Sequence, residues 1–233
     1  MATDLDKRVE TLAKWMLVAG HLVVFTGAGI STESGLADFR GPDGLWTRQA
    51  KGLPAKSIDF ASAEPNAGHL AIAELQRLGR LAFLISQNVD NLHLRSGIRP
   101  ELIAELHGNI TKLRCQNCEF LMDNVGDVIP CPICGGHMAS SVVDFGQSLP
   151  QHDLEDAYAH AKKADLFLVV GSTLTVTPAA DMPRVALRAG ARLVIINQGD
   201  TPLDSAAHLR FDEKIGDVLP PAVARLTEKM QSP

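Results

Sequence analysis

The chain has four cysteines, and all of them fall in Cys115-Gln-Asn-Cys118 and Cys131-Pro-Ile-Cys134, two CxxC pairs with twelve residues between them. Each pair puts two thiolates on one tight turn, and a hairpin of about a dozen residues brings two such turns to one ion, which is the spacing of a tetrahedral zinc site. The alternative is two unrelated redox pairs or buried thiols. With four sulfur ligands such a site is closed, so the metal folds its segment and leaves no position for a water nucleophile. The chemistry of the chain is therefore expected elsewhere.

Beyond the cysteines, 233 residues at 45% hydrophobic and 21% charged suffice for one large core with a small insert. A formal charge of −5 argues against a strongly basic nucleic-acid surface and suits basic protein segments. The first twenty residues mix charges and apolar residues at helical spacing, which reads as a helix and not a signal. No apolar run approaches the roughly 20 residues that span a bilayer. Zinc-type cysteine use points to a reducing, cytoplasmic setting.

HLVVFT at 21–26 is a short β-branched run that ends abruptly at Gly27-Ala28-Gly29. Similar runs recur at 81–86, 166–171 and 192–197, separated by helical patterns at 65–78, 153–163 and 178–189. This alternation predicts an α/β fold, a Rossmann-like parallel sheet with helices on both faces, plus a small zinc-binding module. Residues 1–40, 65–110 and 141–233 are assigned to the sheet domain. The irregular stretch 41–64 and the cysteine segment 111–140 are assigned to the small module.

The strand at 21–26 runs into Gly27-Ala28-Gly29-Ile30-Ser31, whose small residues let backbone N–H groups approach a pyrophosphate at a helix N-terminus. A tight turn would use the same glycines. The acidic ribose anchor that a dehydrogenase places about 20 residues later is missing. Asp38-Phe39-Arg40-Gly41 offers an aromatic and a cation on a loop able to cover a dinucleotide, or an ordinary surface loop. Gln87-Asn88-Val89-Asp90 follows a strand, with amide and carboxylate groups that suit a carboxamide and ribose hydroxyls, or that cap the next helix. His107, in Glu105-Leu106-His107-Gly108-Asn109, is a candidate general base. His69, His93, His137, His152 and His160 read as surface or packing residues.

Taken in order, GAGIS at 27–31, DFRG at 38–41, QNVDNLH at 87–93, LHGN at 106–109, the doubled CxxC, VVDFG at 142–146, GSTLTVTPA at 171–179 and IIN at 195–197 resemble the sirtuin family of NAD-dependent protein deacylases over nearly the whole chain. GPDGLW and SQNVDNLHLRSG look closest to the branch that contains the vertebrate nuclear sirtuins. The resemblance implies that Gly27, Ala28, Gly29 and Ser31 bind the NAD pyrophosphate, with Arg40 nearby. It implies that Gln87, Asn88 and Asp90 line the ribose and nicotinamide pockets, that Gly171, Ser172 and Asn197 hold the adenosine half, and that Phe39 shields the reactive sugar carbon. Val143, Phe145 and Gly146 would form the acyl-lysine channel and its pairing strand. Asn88 and His107 are implied as the catalytic residues, His107 as base through the ribose hydroxyls. Cys115, Cys118, Cys131 and Cys134 are the implied zinc ligands.

The implied reaction has the acyl oxygen of a modified lysine attack the C1′ carbon of the nicotinamide ribose, yielding nicotinamide, free lysine and O-acyl-ADP-ribose. Mono-ADP-ribosyl transfer or NAD hydrolysis on the same scaffold is the alternative enzyme reading, and a non-catalytic NAD-sensing module is the alternative outside catalysis. The expected partners are acyl-lysine proteins or peptides, with no direct nucleic acid or membrane, and an open oligomeric state. Ala37 stands where the family commonly has proline, Ser140-Ser141 where many members have Arg-Pro, and Gln147 where Glu is frequent. The only tyrosine is Tyr158, without an arginine three residues on, which argues against acidic acyl groups. Leu45, Trp46, Leu53 and Ile58 are candidates for a longer acyl tunnel or for the small module's core.

Overall fold

The computed structural model describes residues 3–41, 43–54, 59–126 and 129–231. Ile58, one of the tunnel candidates, lies outside the described residues. Helix α1 (Asp4–Val18) starts where Thr3 accepts the Asp6 N–H and the Asp6 carboxylate accepts the Thr3 N–H, a reciprocal cap. Its buried residues Val9, Leu12, Ala13 and Met16 recur at helical spacing and turn one stripe inward.

Six parallel strands, β1 (Leu22–Thr26), β2 (Leu81–Ser86), β3 (Ile103–Glu105), β7 (Leu166–Val170), β8 (Arg192–Ile196) and β9 (Leu209–Phe211), lie in the order β3-β2-β1-β7-β8-β9. Alternate residues leave opposite faces of a strand, and both faces are filled. Leu22, Val24, Leu166, Leu168, Val194 and Ile196 join the core under α1, α3 (Ala67–Arg77) and α7 (Ile215–Gln231). Val23, Phe25, Phe167, Val169, Leu193 and Ile195 join the core under α5 (Gln151–Lys163) and α6 (Met182–Arg188). The strands are apolar over most of their length because both faces are packed. The order reverses at β1, which has β2 on one side and β7 on the other, and a doubly wound sheet opens its ligand crevice at such a point.

Three further strands, β4 (Lys112–Cys115), β5 (Leu121–Asp123) and β6 (Met138–Ser140), form a separate antiparallel sheet in the order β5-β4-β6. Cys115, Cys131 and Met138 are buried there, with Leu113, Phe120 and Met122 against them. In the 41–64 stretch, the short helix α2 (Leu45–Ala50) is followed by Phe60 and Ala63, which pack on Leu36 and Leu92.

The structure corrects the sequence reading in three places. The glycine loop after β1 enters a 3₁₀ helix at Ala28–Ser34 and not an α-helix, so the crossover to β2 is made by α3. The helix expected over 178–189 begins as a 3₁₀ turn at Ala179–Asp181 and becomes α-helical only at Met182. Helix α7 went unread because Pro220 and Pro221 lie inside it. A proline in a helix interior costs about 3 kcal/mol. Here Ile215, Val218, Leu219, Val223 and Leu226 are buried against the sheet, at about 1.5–3 kcal/mol each. Burial wins.

Candidate active site

Backbone contact between two loops forms the floor of the crevice. Gly27 donates its N–H to the Val170 carbonyl at 3.2 Å, and Gly29 donates to the Gly171 carbonyl at 2.8 Å. A Cβ on Gly29 would sit 2.7 Å from the Gly171 oxygen, so no larger residue lets the β1 and β7 loops approach this closely. Gly171 itself has φ of 67°, in the left-handed region that glycine adopts without strain.

Around this floor is a cavity of about 580 Å³. Gly27, Ala28, Gly29 and Ser31 line it from the first loop, Phe39 and Arg40 from the covering loop, and Gln87, Asn88 and Asp90 from the end of β2. His107 lines it from beyond β3, Val143, Phe145 and Gly146 from beyond β6, and Gly171, Ser172 and Asn197 from the ends of β7 and β8. Every residue that the sequence singled out for cofactor, substrate or catalysis therefore opens onto one cavity. The sequence reading missed Phe60, Leu149 and the segment Gln198-Gly199-Asp200, which line it too. They belong to no recognisable motif, and the signal available for the last was its position just after a buried strand.

The polar groups in the cavity hold one another. Ser31 Oγ donates to Asp90 Oδ2 at 2.6 Å, and Asn88 Nδ2 donates to Ser31 Oγ at 3.2 Å. Asp90 Oδ1 accepts the Leu92 N–H at 3.0 Å, so the capping alternative describes one oxygen of Asp90 and not the other. Gln87 Nε2 reaches Ser172 Oγ at 2.8 Å and joins the β2 loop to the β7 loop. Asn88 Oδ1 is buried and has no partner in the protein. Such an acceptor calls for a donor from a ligand, and the hydroxyls and carboxamide of a nicotinamide ribose are donors of that kind.

His107 donates from Nδ1 to the carbonyl oxygen of Gln87 at 2.9 Å. A carbonyl only accepts, so this bond assigns the proton to Nδ1 and leaves Nε2 with a lone pair. Burial lowers the imidazole pKa from its usual 6.5, while the carbonyl bond works against that shift. The ring is thus neutral and basic at pH 7. Its own carbonyl accepts the N–H of Val143 at 3.0 Å, which ties the candidate base to the segment expected to pair with substrate.

At the mouth, Phe39, Trp46 and Phe145 form an aromatic chain with ring centroids 5.0 and 5.8 Å apart. The Arg40 guanidinium lies 4.1 Å over Trp46. Despite Ala37, the covering loop is tied to α2, whose Leu45 and Trp46 donate to the Asp38 and Phe39 carbonyls at 2.8 and 2.9 Å. Gln147 Oε1 accepts the Asp144 N–H at 2.9 Å, and Ser141 Oγ bonds to both the N–H and the carbonyl of Asn109. Of the other tunnel candidates, Trp46 lines the cavity, whereas Leu45 and Leu53 do not. Tyr158 packs on the α5–α6 core, away from the cavity.

Two of the histidines read as packing residues form a buried pair beneath the floor. His69 and His93 have ring centroids 4.9 Å apart, and His93 Nε2 lies 2.9 Å from Thr26 Oγ1. Burial lowers both pKa values, that of His69 to about 4.

The four cysteine sulfurs all lie within 4.8 Å of one another. Cys115 and Cys134 are 3.5 Å apart and Cys118 and Cys131 are 3.7 Å apart, far too long for disulfides. Zinc–sulfur bonds of about 2.3 Å in a tetrahedron separate the sulfurs by about 3.8 Å. The donor set fits zinc in number, type and spacing.

The model of the Sir2 family matches residues 53–178. NAD-dependent protein deacetylase 1 of Bradyrhizobium diazoefficiens is 40% identical over 250 residues, covering 96% of this chain and 98% of that protein. The chain belongs to the Sir2 family. NAD-dependent protein deacetylase SRT1 of Oryza sativa subsp. indica is 44% identical over 218 residues. The chain spans about half the length of that protein and of its Arabidopsis thaliana namesake, 45% and 50%. Among solved Sir2 structures, one with p53 peptide and NAD⁺ superposes with a TM-score of 0.74 at 32% identity, covering 95% of this chain and 98% of that one. A Sir2 homologue in complex with NAD gives 0.76 at 32% identity, covering 95% of both chains.

Proposed function

We propose that this protein is an NAD-dependent protein lysine deacylase that acts on acyl-lysine proteins or peptides and releases nicotinamide, free lysine and O-acyl-ADP-ribose. The observation that carries this reading is His107: its Nδ1 proton is committed to Gln87, and it shares one cavity with the Ser31–Asn88–Asp90 group and the Val143 segment. The relatives named as deacetylases and the p53 peptide complex support the same activity and a peptide substrate.

NAD is consumed as a substrate and supplies the sugar carbon that the acyl oxygen attacks. The small residues of the Gly27–Gly29 loop let its pyrophosphate approach closely, while the Gly27 and Gly29 N–H groups hold the loop to β7, and Asn88 and Asp90 orient the ribose. His107 takes a proton from a ribose hydroxyl at Nε2. Phe39 and its aromatic partners exclude water from the reacting carbon. The Val143–Gly146 segment pairs with an extended peptide, which gives affinity with little side-chain selectivity. Zinc held by the four cysteines fixes β4–β6 and has no part in the bond changes.

We place the chain in the branch that contains the vertebrate nuclear sirtuins on the strength of its GPDGLW and SQNVDNLHLRSG segments. Four thiols gathered for a metal suit a reducing compartment, which supports a cytoplasmic location.

The test is mass spectrometry of products from the protein, NAD and a panel of acetyl-, succinyl- and myristoyl-lysine peptides. Free lysine with O-acyl-ADP-ribose is expected from the acetyl or myristoyl peptides and not from the succinyl peptide. ADP-ribose alone, an ADP-ribosylated protein, or NAD binding without turnover would each replace the proposal with one of its alternatives.

A further inference from the structure

The turn that carries His107 is held from beneath by two buried side chains that do not line the cavity. Glu105, the last residue of β3, accepts the Asn109 Nδ2 hydrogen at 2.7 Å, so the pair clamps the turn across its ends. Asn109 is fully committed. Its other Nδ2 hydrogen goes to Asn91 Oδ1 at 2.9 Å, and its Oδ1 accepts from the N–H and Oγ1 of Thr111 at 2.9 and 2.8 Å. Its N–H and carbonyl both bond to Ser141 Oγ, at 3.0 and 2.8 Å. Gly108 closes the turn to the Glu105 carbonyl at 2.8 Å with φ of 77°. Asn109, through its side chain and its backbone, thus joins three loops: the loop after β2, the turn bearing the base, and the segment that leads to Val143.

We propose that Glu105 is a positioning residue for the base step, holding His107 through Asn109 at the orientation that the Gln87 and Val143 bonds require. The inference rests on the deacylase reading. A base misplaced by about 1 Å can lose roughly a hundredfold in rate, and Glu105 is the acidic side chain that bonds directly to Asn109.

The charged groups around Glu105 make the clamp sensitive to pH. Asp153 on α5 accepts the Glu105 N–H at 3.3 Å and is paired with Arg114 of β4 at 3.1 Å. Lys112 of β4 and Asp90 after β2 act on the carboxyl at longer range, with opposite signs. Burial foremost raises its pKa from the usual 4.5 to about 7, and the Asn109 bond opposes the shift. Below that pH the carboxyl is neutral and accepts more weakly, because hydrogen bonds to charged groups are the stronger kind.

The experiment compares wild type, Glu105→Ala and Glu105→Gln in two assays: O-acyl-ADP-ribose release, which needs the base, and exchange of labelled nicotinamide into NAD, which needs only the first step. Wild-type product formation tests the deacylase reading by itself. The positioning role predicts that Glu105→Ala lowers deacylation by about tenfold or more while exchange stays within about twofold. Glu105→Gln, which keeps an acceptor but cannot ionise, holds the deacylation-to-exchange ratio of the neutral clamp at every pH, above Glu105→Ala and below wild type at pH 8. It also removes the rise near pH 7 in the ratio of deacylation to exchange. Parallel loss of both activities, an unchanged ratio in Glu105→Ala, or a rise near pH 7 that survives in Glu105→Gln would overturn the role. If Glu105→Ala fails to fold, as judged by zinc content and melting temperature, the pH profile of Glu105→Gln decides.

Discussion

His107 Nδ1 and the carbonyl oxygen of Gln87 lie 2.9 Å apart, and this single bond selects the imidazole tautomer that faces the cavity with a lone pair on Nε2. The proton on Nδ1 is committed, so any proton that the ring accepts goes to Nε2. Burial lowers the ring's pKa, which means that the neutral, basic form persists to pH values below the usual 6.5.

Replacing His107 by Ala should lower deacylation by at least about a hundredfold, the usual size of general-base catalysis, while zinc content and melting temperature hold. In a Glu105→Gln background, where the neighbouring carboxyl no longer titrates, kcat should rise with pH through a single limb centred below 6.5. Steady-state rates between pH 5 and 8 give that limb. Near-normal turnover of His107→Ala removes the ring from the base role.

Gly29 tests the loop-to-loop contact at the floor. A methyl group there meets the Gly171 oxygen at 2.7 Å and its Cα at 2.8 Å, so the β1 and β7 loops must separate. Gly29→Ala should destabilise the fold by about 1–3 kcal/mol, the range for overpacking, and raise the KM for NAD more than that for peptide. Denaturant unfolding and steady-state kinetics measure the two effects. Equal increases in both KM values would show that the loop is not specific to the dinucleotide.

The parallel sheet and much of the cavity's lining were legible for the same reason. The motifs at 27–31, 87–90, 171–172 and 197 each follow or end a buried run, and a parallel sheet brings the carboxyl ends of its strands to one edge. The doubled CxxC was legible because four sulfurs at that spacing have few other uses. What escaped were elements whose evidence is tertiary. Strands β3 and β9 are three residues each, too short to show a period. Helix α7 carries Pro220 and Pro221, which look like a helix stop until its apolar stripe meets α1 and α3. Asn109 could be read as part of a motif, but its bonds to Asn91, Glu105 and Ser141 depend on loops that only folding brings together.

Zinc removal should reach the active site along the chain. Asn109 is tied to Glu105 and Ser141, and β4 begins at Lys112, so loosening the three-stranded sheet loosens the turn that carries His107. One zinc per chain is expected by metal analysis. A strong chelator, or Cys131→Ser, should raise hydrogen exchange in β4–β6 and abolish deacylation, with strands β1, β7 and β8 remaining protected. Full activity in metal-free protein would separate the module from catalysis.

Trp46 joins the covering loop to the segment at 142–146 through Phe39 on one side and Phe145 on the other. Its removal leaves Phe39 without a ring to pack on and Arg40 without a face to cover. Trp46→Ala should therefore admit water to the reacting sugar, raising the fraction of NAD that ends as ADP-ribose instead of O-acyl-ADP-ribose by severalfold. Product ratios by mass spectrometry, at saturating peptide, report this directly. A lower rate with an unchanged ratio would mean that the tryptophan only supports the fold.

The buried histidine pair makes stability fall in mild acid. Unfolded His69 takes up a proton near pH 6.5, whereas in the fold burial holds its pKa at about 4. Between those values the unfolded chain binds more protons, so the stability present above pH 6.5 is lost as the pH falls toward 4. His93, also depressed by burial, acts in the same direction. Glu105 acts in the opposite direction, since its folded pKa is raised to about 7 from 4.5 and protonation there favours the fold. The difference between variants therefore carries the test. His69→Gln removes one of the two titrating rings and should flatten the decline of melting temperature between pH 7 and 4.5 relative to wild type, whereas Glu105→Gln should steepen it. Parallel curves for His69→Gln and wild type would show that the pair does not set the acid limit.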